Sequence, residues 1–246
     1  MVSPTNGAAS LVGSFGVSGF MADLAYDAVG DVLYGTTTGT DNLYAINRTT
    51  GAATLIGPLG QSFMHSLAYD NVSRTLYGIS FSISGVPISS TLYRISTTTG
   101  QATPIGNVGV ATNAGNPIFG LAFNPADRFL YGSFINPLVE GDVEGGIYRI
   151  DPNTGNGTFL FSSLPLADLA FHPETGVLFG IDNGNGSVAD SLHTVDLATG
   201  TATQVGLTGL GNNLGLEFVP VIPEPGSLAL LITSGSWLLF ARLRRP

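Results

Sequence analysis

The chain has no cysteine and no lysine, and only 10% of its 246 residues are charged. Without cysteine there are no disulfides, no thiolate metal sites and no cysteine nucleophile, and redox chemistry says nothing of the compartment. Long runs of Ala, Glu, Leu or Lys are missing too, which argues against a helical protein. The cationic groups are scarce and unevenly placed: all eight are Arg, and Arg242, Arg244 and Arg245 lie in the last five positions. Residues 1–222 hold five Arg against 16 acidic groups, a net charge of −11. A surface of that sign repels polyphosphate, which argues against nucleic acid as a partner and leaves cations or neutral glycans as more natural ligands. No phosphate-cradling loop follows a strand and opens a helix, so nucleotide binding has no support either.

What is present is glycine, 34 residues of it, together with Thr, Asn and Ser, a composition suited to short strands and many turns. One phrase is written four times. It runs LAYDAVGDVLYG and NLYAINRTTGAATLIG from Leu24 to Gly57, and returns at Leu67, Leu121 and Leu169. A period of about 45 residues with insertions means stacked or ringed supersecondary modules around shared cores.

Each module reads as four strands. The first is short and carries Ala25, Ala68, Ala122 or Ala170 in one slot. The second is VLYGT and its kin, the third NLYAIN and its kin, and both show the period of two that marks half-buried strands. The fourth is rich in Thr and Ala. Between third and fourth strands lies a fixed turn, Asn47 to Gly51, Ser96 to Gly100, Asp151 to Gly155 and Asp196 to Gly200, with Ser3 to Gly7 matching. An Asn, Asp or Ser that bonds the backbone ahead, with Gly four residues on, closes a hairpin there.

Spacing separates scaffold from variable surface. The first-strand Leu lies nine residues before the second-strand Leu in every module, whereas the second-to-third distance is 10, 16, 17 and 14. Insertions therefore gather on one rim of a radial stack, where binding loops are expected. The landmarks LAxx, LYG, LYxID and TG resemble the blades of WD-repeat-like and related bacterial β-propellers, although the Trp-Asp and Gly-His dipeptides of true WD repeats are absent. The resemblance covers residues 1 to about 220 and implies an all-β propeller of four-stranded blades. Leu216 opens one more first strand, and Val2 to Gly13 matches Ile95 to Gly106 without a gap. Four complete blades and one partial blade shared by the two ends are expected, about five in all. Because the chain starts inside a module and no signal peptide precedes it, an upstream extension encoding one is expected as well.

After Val221 the composition changes. Pro223, Glu224 and Pro225 precede an apolar segment from Leu228 to Ala241 and the terminal Arg242, Arg244 and Arg245. This tail, residues 221–246, resembles the PEP-CTERM sorting signal of Gram-negative bacteria. The resemblance implies an exported protein held briefly in the inner membrane, a membrane-embedded exosortase that recognises the Pro-Glu-Pro box and removes the tail, and delivery to the cell surface. Sixteen residues separate Pro225 from Arg242. As a helix they span about 24 Å, short of the roughly 30 Å hydrocarbon core. A marginal span with cytoplasmic arginines suits a temporary anchor; a permanent anchor is the plainer alternative.

Candidate chemistry is sparse. His193 fills the slot of Tyr44, Tyr93 and Tyr148 and reads as a packed core residue, and His172 fills the slot of Asp27, Asp70 and Asn124 and reads as a turn cap. His65 lies just before a first strand, and with Asp23 and Asp168 it is expected to line the central channel as part of a solvated surface. Convergence of these three on a metal is the catalytic alternative, a hydrolase resembling the propeller lactonases. Glu140, Asp142 and Glu144 alternate in one loop and are weak candidates for Ca²⁺, with a solvated acidic loop as the simpler reading. No catalytic residue and no cofactor is assigned. The composite expectation is an exported, exosortase-sorted propeller that binds or builds at the cell surface or in extracellular matrix, with exopolysaccharide as the partner that the family resemblance implies.

Overall fold

A computed structural model describes residues 1–82, 89–109, 117–135, 145–182, 190–210 and 215–219. Among these residues every regular element is a strand. They form four antiparallel sheets of four strands each, joined in sequence order as meanders. The first blade holds β1 (Phe20–Asp27), β2 (Val32–Thr38), β3 (Asn42–Ile46) and β4 (Ala53–Pro58). The second holds β5 (Met64–Asp70), β6 (Thr75–Ser82), β7 (Ser89–Ile95) and β8 (Ala102–Asn107). The third holds β9 (Ile118–Asn124), β10 (Phe129–Ile135), β11 (Gly145–Ile150) and β12 (Gly157–Ser163). The fourth holds β13 (Leu166–Phe171), β14 (Leu178–Asp182), β15 (Ser191–Val195) and β16 (Ala202–Leu207).

The repeated letters of the sequence are repeated contacts. Each LYG glycine pairs across to the first-strand Leu, as Gly35 does to Leu24 and Gly132 to Leu121. A side chain at Gly35 would run into Met21 and Ile46, and one at Gly132 into Ile118 and Ile150, so this glycine makes room for the side chains that fill the space between blades. Those spaces are the cores. One contains Ile79, Leu92, Ile118, Leu121 and Leu130 from the second and third blades, another Leu43, Met64, Leu67 and Leu76 from the first and second. A blade by itself would leave both faces uncovered, which is why the modules stabilise one another.

The fixed turn folds as its residues dictate. Gly51, Gly100, Gly155 and Gly200 all adopt φ between 76° and 80°, and each donates its amide to the residue four back, as Gly100 does to the Ser96 carbonyl at 2.8 Å. This turn also meets the preceding blade. Gly57 approaches Thr99, and Gly106 approaches Thr154, closely enough that a Cβ would overlap the carbonyl. Beside each contact one hydrogen bond crosses between blades: Ala102 N to Leu59 O and Gly157 N to Val108 O, both 2.9 Å.

The chain ends occupy the remaining position in the ring with the same contacts. Gly206 of the fourth blade lies against Asn6, Gly13 against Thr50, and the crossing bonds recur as Ala9 N to Thr208 O at 3.3 Å and Ala53 N to Phe15 O at 2.9 Å. The expected partial blade is not a sheet: residues 2–13 hold only an isolated Val2–Ala9 bridge, and residues 215–219 form no strand but bridge the fourth and first blades on the inner side. Phe218 packs on His172 and Phe179, while Val219 joins Tyr26, Leu33 and Ile46. The fold is thus an all-β propeller of four complete blades, with the two terminal segments filling the position between the last and the first. Pro223, Glu224, Pro225, Arg242, Arg244 and Arg245 lie outside the described residues, as do Glu140, Asp142 and Glu144 and the apolar segment between Leu228 and Ala241.

Candidate functional site

The first strands converge, and the slot before each first-strand Leu is filled in ring order by Asp23, Ser66, Gly120, Asp168 and Gly215. Asp23 and Asp168 are buried, 1% and 0% exposed, and do not line a solvated channel as the sequence suggests. The reason lies in the backbone. Asp23 accepts the amides of Leu24 and Leu67, both at 2.6 Å. Asp168 accepts those of Leu121 at 3.2 Å, Leu169 and Leu216. Five equivalent N–H groups, one from each position of the ring, would be unsatisfied in a dry axis, and two carboxyl groups take all five. Small residues at the other three slots leave the space: a Cβ on Gly120 would lie 2.5 Å from the Asp168 Cα.

The two carboxyl groups also lie within hydrogen-bonding reach of each other, and each bears on the other's proton affinity. Burial pushes the Asp23 carboxyl well above its ordinary range, helped by the neighbouring Asp168 charge and opposed by its two amides. Burial raises Asp168 too, against the pull of Asp23 and the amides of Leu216, Leu169 and Leu121. The pair is an axial plug that ties all five positions of the ring together.

His65 does not join it. Its ring stacks on Phe81 at 4.6 Å and meets the edge of Phe119 at 5.6 Å, and burial holds its pKa below the ordinary histidine range. The first-strand bulge explains this: His65 is the extra residue between Met64 and Ser66, where the pairing register shifts, so it leaves the ladder beside the plug. His172 caps its turn as expected, its Nδ1 accepting the amides of Glu174 at 3.3 Å and Thr175 at 3.4 Å. His193 is packed, 5% exposed, with Nε2 3.0 Å from Asp182. Among the described residues no three His, Asp or Glu side chains are grouped to hold a metal ion.

A pocket lies on the fixed-length rim. It has a volume of about 260 Å³ and is walled by Ala68, Ala122 and Ala170, by Tyr26, Tyr69, Phe123, Phe171 and Phe218, and by connection residues such as Asn71 and Pro125. Most of its polar groups are already engaged. Tyr26 Oη donates to Asp31 at 2.6 Å, Tyr69 Oη donates to Asp27 at 3.0 Å, and Asn71 links the first two blades through Ala28 N and the Tyr26 carbonyl. Glu217 is the exception. It stands in the slot that the other four positions give to alanine, and among the described residues its oxygens take only the amides of Phe218 at 2.7 Å and Tyr26 at 3.2 Å. Burial raises its pKa to about 8, with the Asp168 charge adding to the rise and the two amides opposing it. Sequence comparison of the first strands contains the signal, since LEFV stands where LAYD, LAFN and LAFH do, but reading only the Leu of that phrase misses it.

No protein-family profile and no characterised protein sequence matches the chain. Solved structures do. A nidogen/laminin complex superimposes with a TM-score of 0.57 at 17% identity, over 81% of this chain and 68% of that one. A Bacteroides thetaiotaomicron protein of unknown function gives 0.56 at 18%, over 82% and 55%. A gluconolactonase from Xanthomonas campestris gives 0.53 at 14%, over 83% and 68%. At such identities these likenesses establish the β-propeller fold and nothing finer.

Proposed function

We propose that the chain is a binding β-propeller, exported and sorted to the cell surface or extracellular matrix. Its blades form a rigid recognition scaffold with exopolysaccharide as a partner, and its last 26 residues are an exosortase signal held briefly in the inner membrane. The observation that supports a binding role is the fate of the axial acids. In a propeller hydrolase the carboxylates at the axis would be left free for a metal or a water; here Asp23 and Asp168 are taken up by five backbone amides. Support for export and sorting comes from the order Pro-Glu-Pro, apolar segment, arginines, with Pro223 to Pro225 and Arg242 to Arg245 in place.

Intact-mass measurement on the surface fraction of a native host tests the sorting half. The mature protein should lack the residues after Pro225, and Glu224→Ala should leave the full-length form in the inner membrane. Recovery of unprocessed, Arg245-containing protein at the surface would overturn it. A glycan-binding screen against the host's exopolysaccharide tests the partner, with retention expected and free passage contradicting it.

A further inference from the structure

The Glu217 pocket carries more than the sorting of the protein requires. In a sequence that repeats its first strand so faithfully, one acidic side chain replaces alanine at the single ring position filled by the irregular segment 215–219. That side chain faces a confined space walled by alanine methyls and aromatic rings. A carboxylate has about four acceptor sites, and two of those on Glu217 are taken by amides. Acceptor capacity therefore remains, and it is directed into the pocket. Among the described residues no cation meets it: Arg74 and Arg128 are clasped to Asp27 and Asp70 on neighbouring blades.

Three ligand classes can be weighed. Anions are disfavoured by Glu217 itself, by Asp168 behind it and by the net charge of −9. A hard divalent ion wants about six to eight oxygen ligands, and the pocket supplies one carboxylate. An organic cation with an apolar body uses both features present, because the charge pairs with the carboxylate while the body lies on ring faces that attract positive charge. The walls already show that preference: the guanidinium of Arg48 lies 5.0 Å from the Tyr26 ring centre, and that of Arg128 lies 5.1 Å from the Phe123 ring centre. The volume of about 260 Å³ falls just below the roughly 300 to 1,000 Å³ of drug-sized sites, so the ligand is a small molecule and not a polymer.

We propose that this pocket binds a small ammonium compound, its charge on Glu217 and its apolar part against Tyr69, Phe171 and Phe218. The proposal rests on reading the chain as a binding protein. Binding a cation requires Glu217 ionised, and the groups that face it set how hard that is. Asp168 lies on the inner side, the phenols of Tyr26 and Tyr69 are held by Asp31 and Asp27, and His172 packs against Phe218. With Glu217 titrating near pH 8, about a tenth of the free protein is ionised at pH 7 and about nine-tenths at pH 9. Apparent affinity scales with that fraction. It should rise about tenfold between the two pH values.

Calorimetric titration of the full chain with choline, and with its uncharged isostere 3,3-dimethylbutan-1-ol, tests this at pH 7 and pH 9. Choline should bind more tightly than the isostere, about tenfold more tightly at pH 9 than at pH 7, and release close to one proton per molecule bound at pH 7. Glu217→Gln should abolish both the preference and the pH dependence. Glu217→Ala, which restores the residue of the other four slots, should do the same and guards against misfolding of the first variant. Equal affinity for choline and isostere, or a pH dependence that persists in Glu217→Gln, would overturn the cation assignment while leaving a binding pocket in place. Absence of binding by either probe overturns it too. The wider binding-protein reading fails separately, if the same preparation hydrolyses lactones with added divalent ions.

Discussion

Asp23 and Asp168 lie within hydrogen-bonding reach of each other where the first strands converge, and between them they take one amide from every position of the ring. Neither carboxyl can be removed without leaving buried donors unmatched. Asp168→Ala strands the amides of Leu121, Leu169 and Leu216. An unsatisfied buried donor costs about 1 to 3 kcal/mol, so a loss of at least about 3 kcal/mol is expected. Urea unfolding measures it, and a loss under about 1 kcal/mol would show that water replaces the carboxyl.

The same pair sets a pH dependence. In the unfolded chain an Asp titrates near 3.8, whereas the folded axis holds its proton to higher pH, and Glu217 holds its own to about 8. Between these limits the axial acids and Glu217 bind more protons in the folded state than in the unfolded one, so their contribution falls as pH rises from about 4 to about 8, opposed in part by His65, whose lowered folded pKa adds stability as pH rises toward 6.5. Asp23→Asn keeps an acceptor for the Leu67 amide and gives Asp168 a permanent donor. It should flatten the lower part of this slope and leave the Glu217 part. Midpoints of unfolding from pH 4 to pH 9 for wild type and Asp23→Asn give the answer; the same slope in both proteins contradicts the account.

On the fixed-length rim the charges act in the opposite sense. Burial alone would raise Asp27 and Asp70, but turn amides, the Tyr69 and Ser73 hydroxyls and the arginines of the next blade outweigh it and hold both below 3.8. Their contribution is complete above that value and is lost as pH falls through the lower folded values. Arg74 and Arg128 are about half exposed, which limits each pair to about 1 kcal/mol or less. A double-mutant cycle on Asp70 and Arg128 should return such a value at pH 7 and close to zero at pH 2.

Blade-to-blade spacing should be as exacting as the axis. Gly106→Ala forces a Cβ onto the Thr154 carbonyl, and because both sides are backbone the cost belongs at the upper end of overpacking, about 3 kcal/mol. Gly109 has φ of 68° but nothing near its missing Cβ, so Gly109→Ala bears only the left-handed penalty, about 1 kcal/mol. Thermal melts of the two variants should rank in that order.

Much of this architecture could be read from the letters alone, because every module repeats the same local solution. The Asn, Asp or Ser with Gly four residues on dictates its own turn, and the constant nine-residue spacing marks the rigid rim. Closure by the chain ends was legible too, since Val2 to Gly13 and Leu216 each match a piece of the module. What escaped is what depends on convergence. Whether Asp23 and Asp168 meet water or amides is decided by how tightly first strands from distant modules pack, and a sequence states no such distance. His65 was misplaced because a bulge, which costs one residue and leaves no letter behind, turns it aside toward Phe81 and Phe119. Glu217 was missed although its signal was present, in a segment that matches the first strands at only a few positions.

The central claim is that the axial acids hold the ring together and are not free to serve a metal. Equilibrium dialysis against Ca²⁺ and Zn²⁺, followed by elemental analysis of wild type and of the Asp23→Asn, Asp168→Asn double variant, tests it most directly. The account predicts the same metal content in both proteins, whatever other residues bind. One equivalent of a divalent ion in the wild type that disappears in the double variant would place a metal at the axis and contradict it.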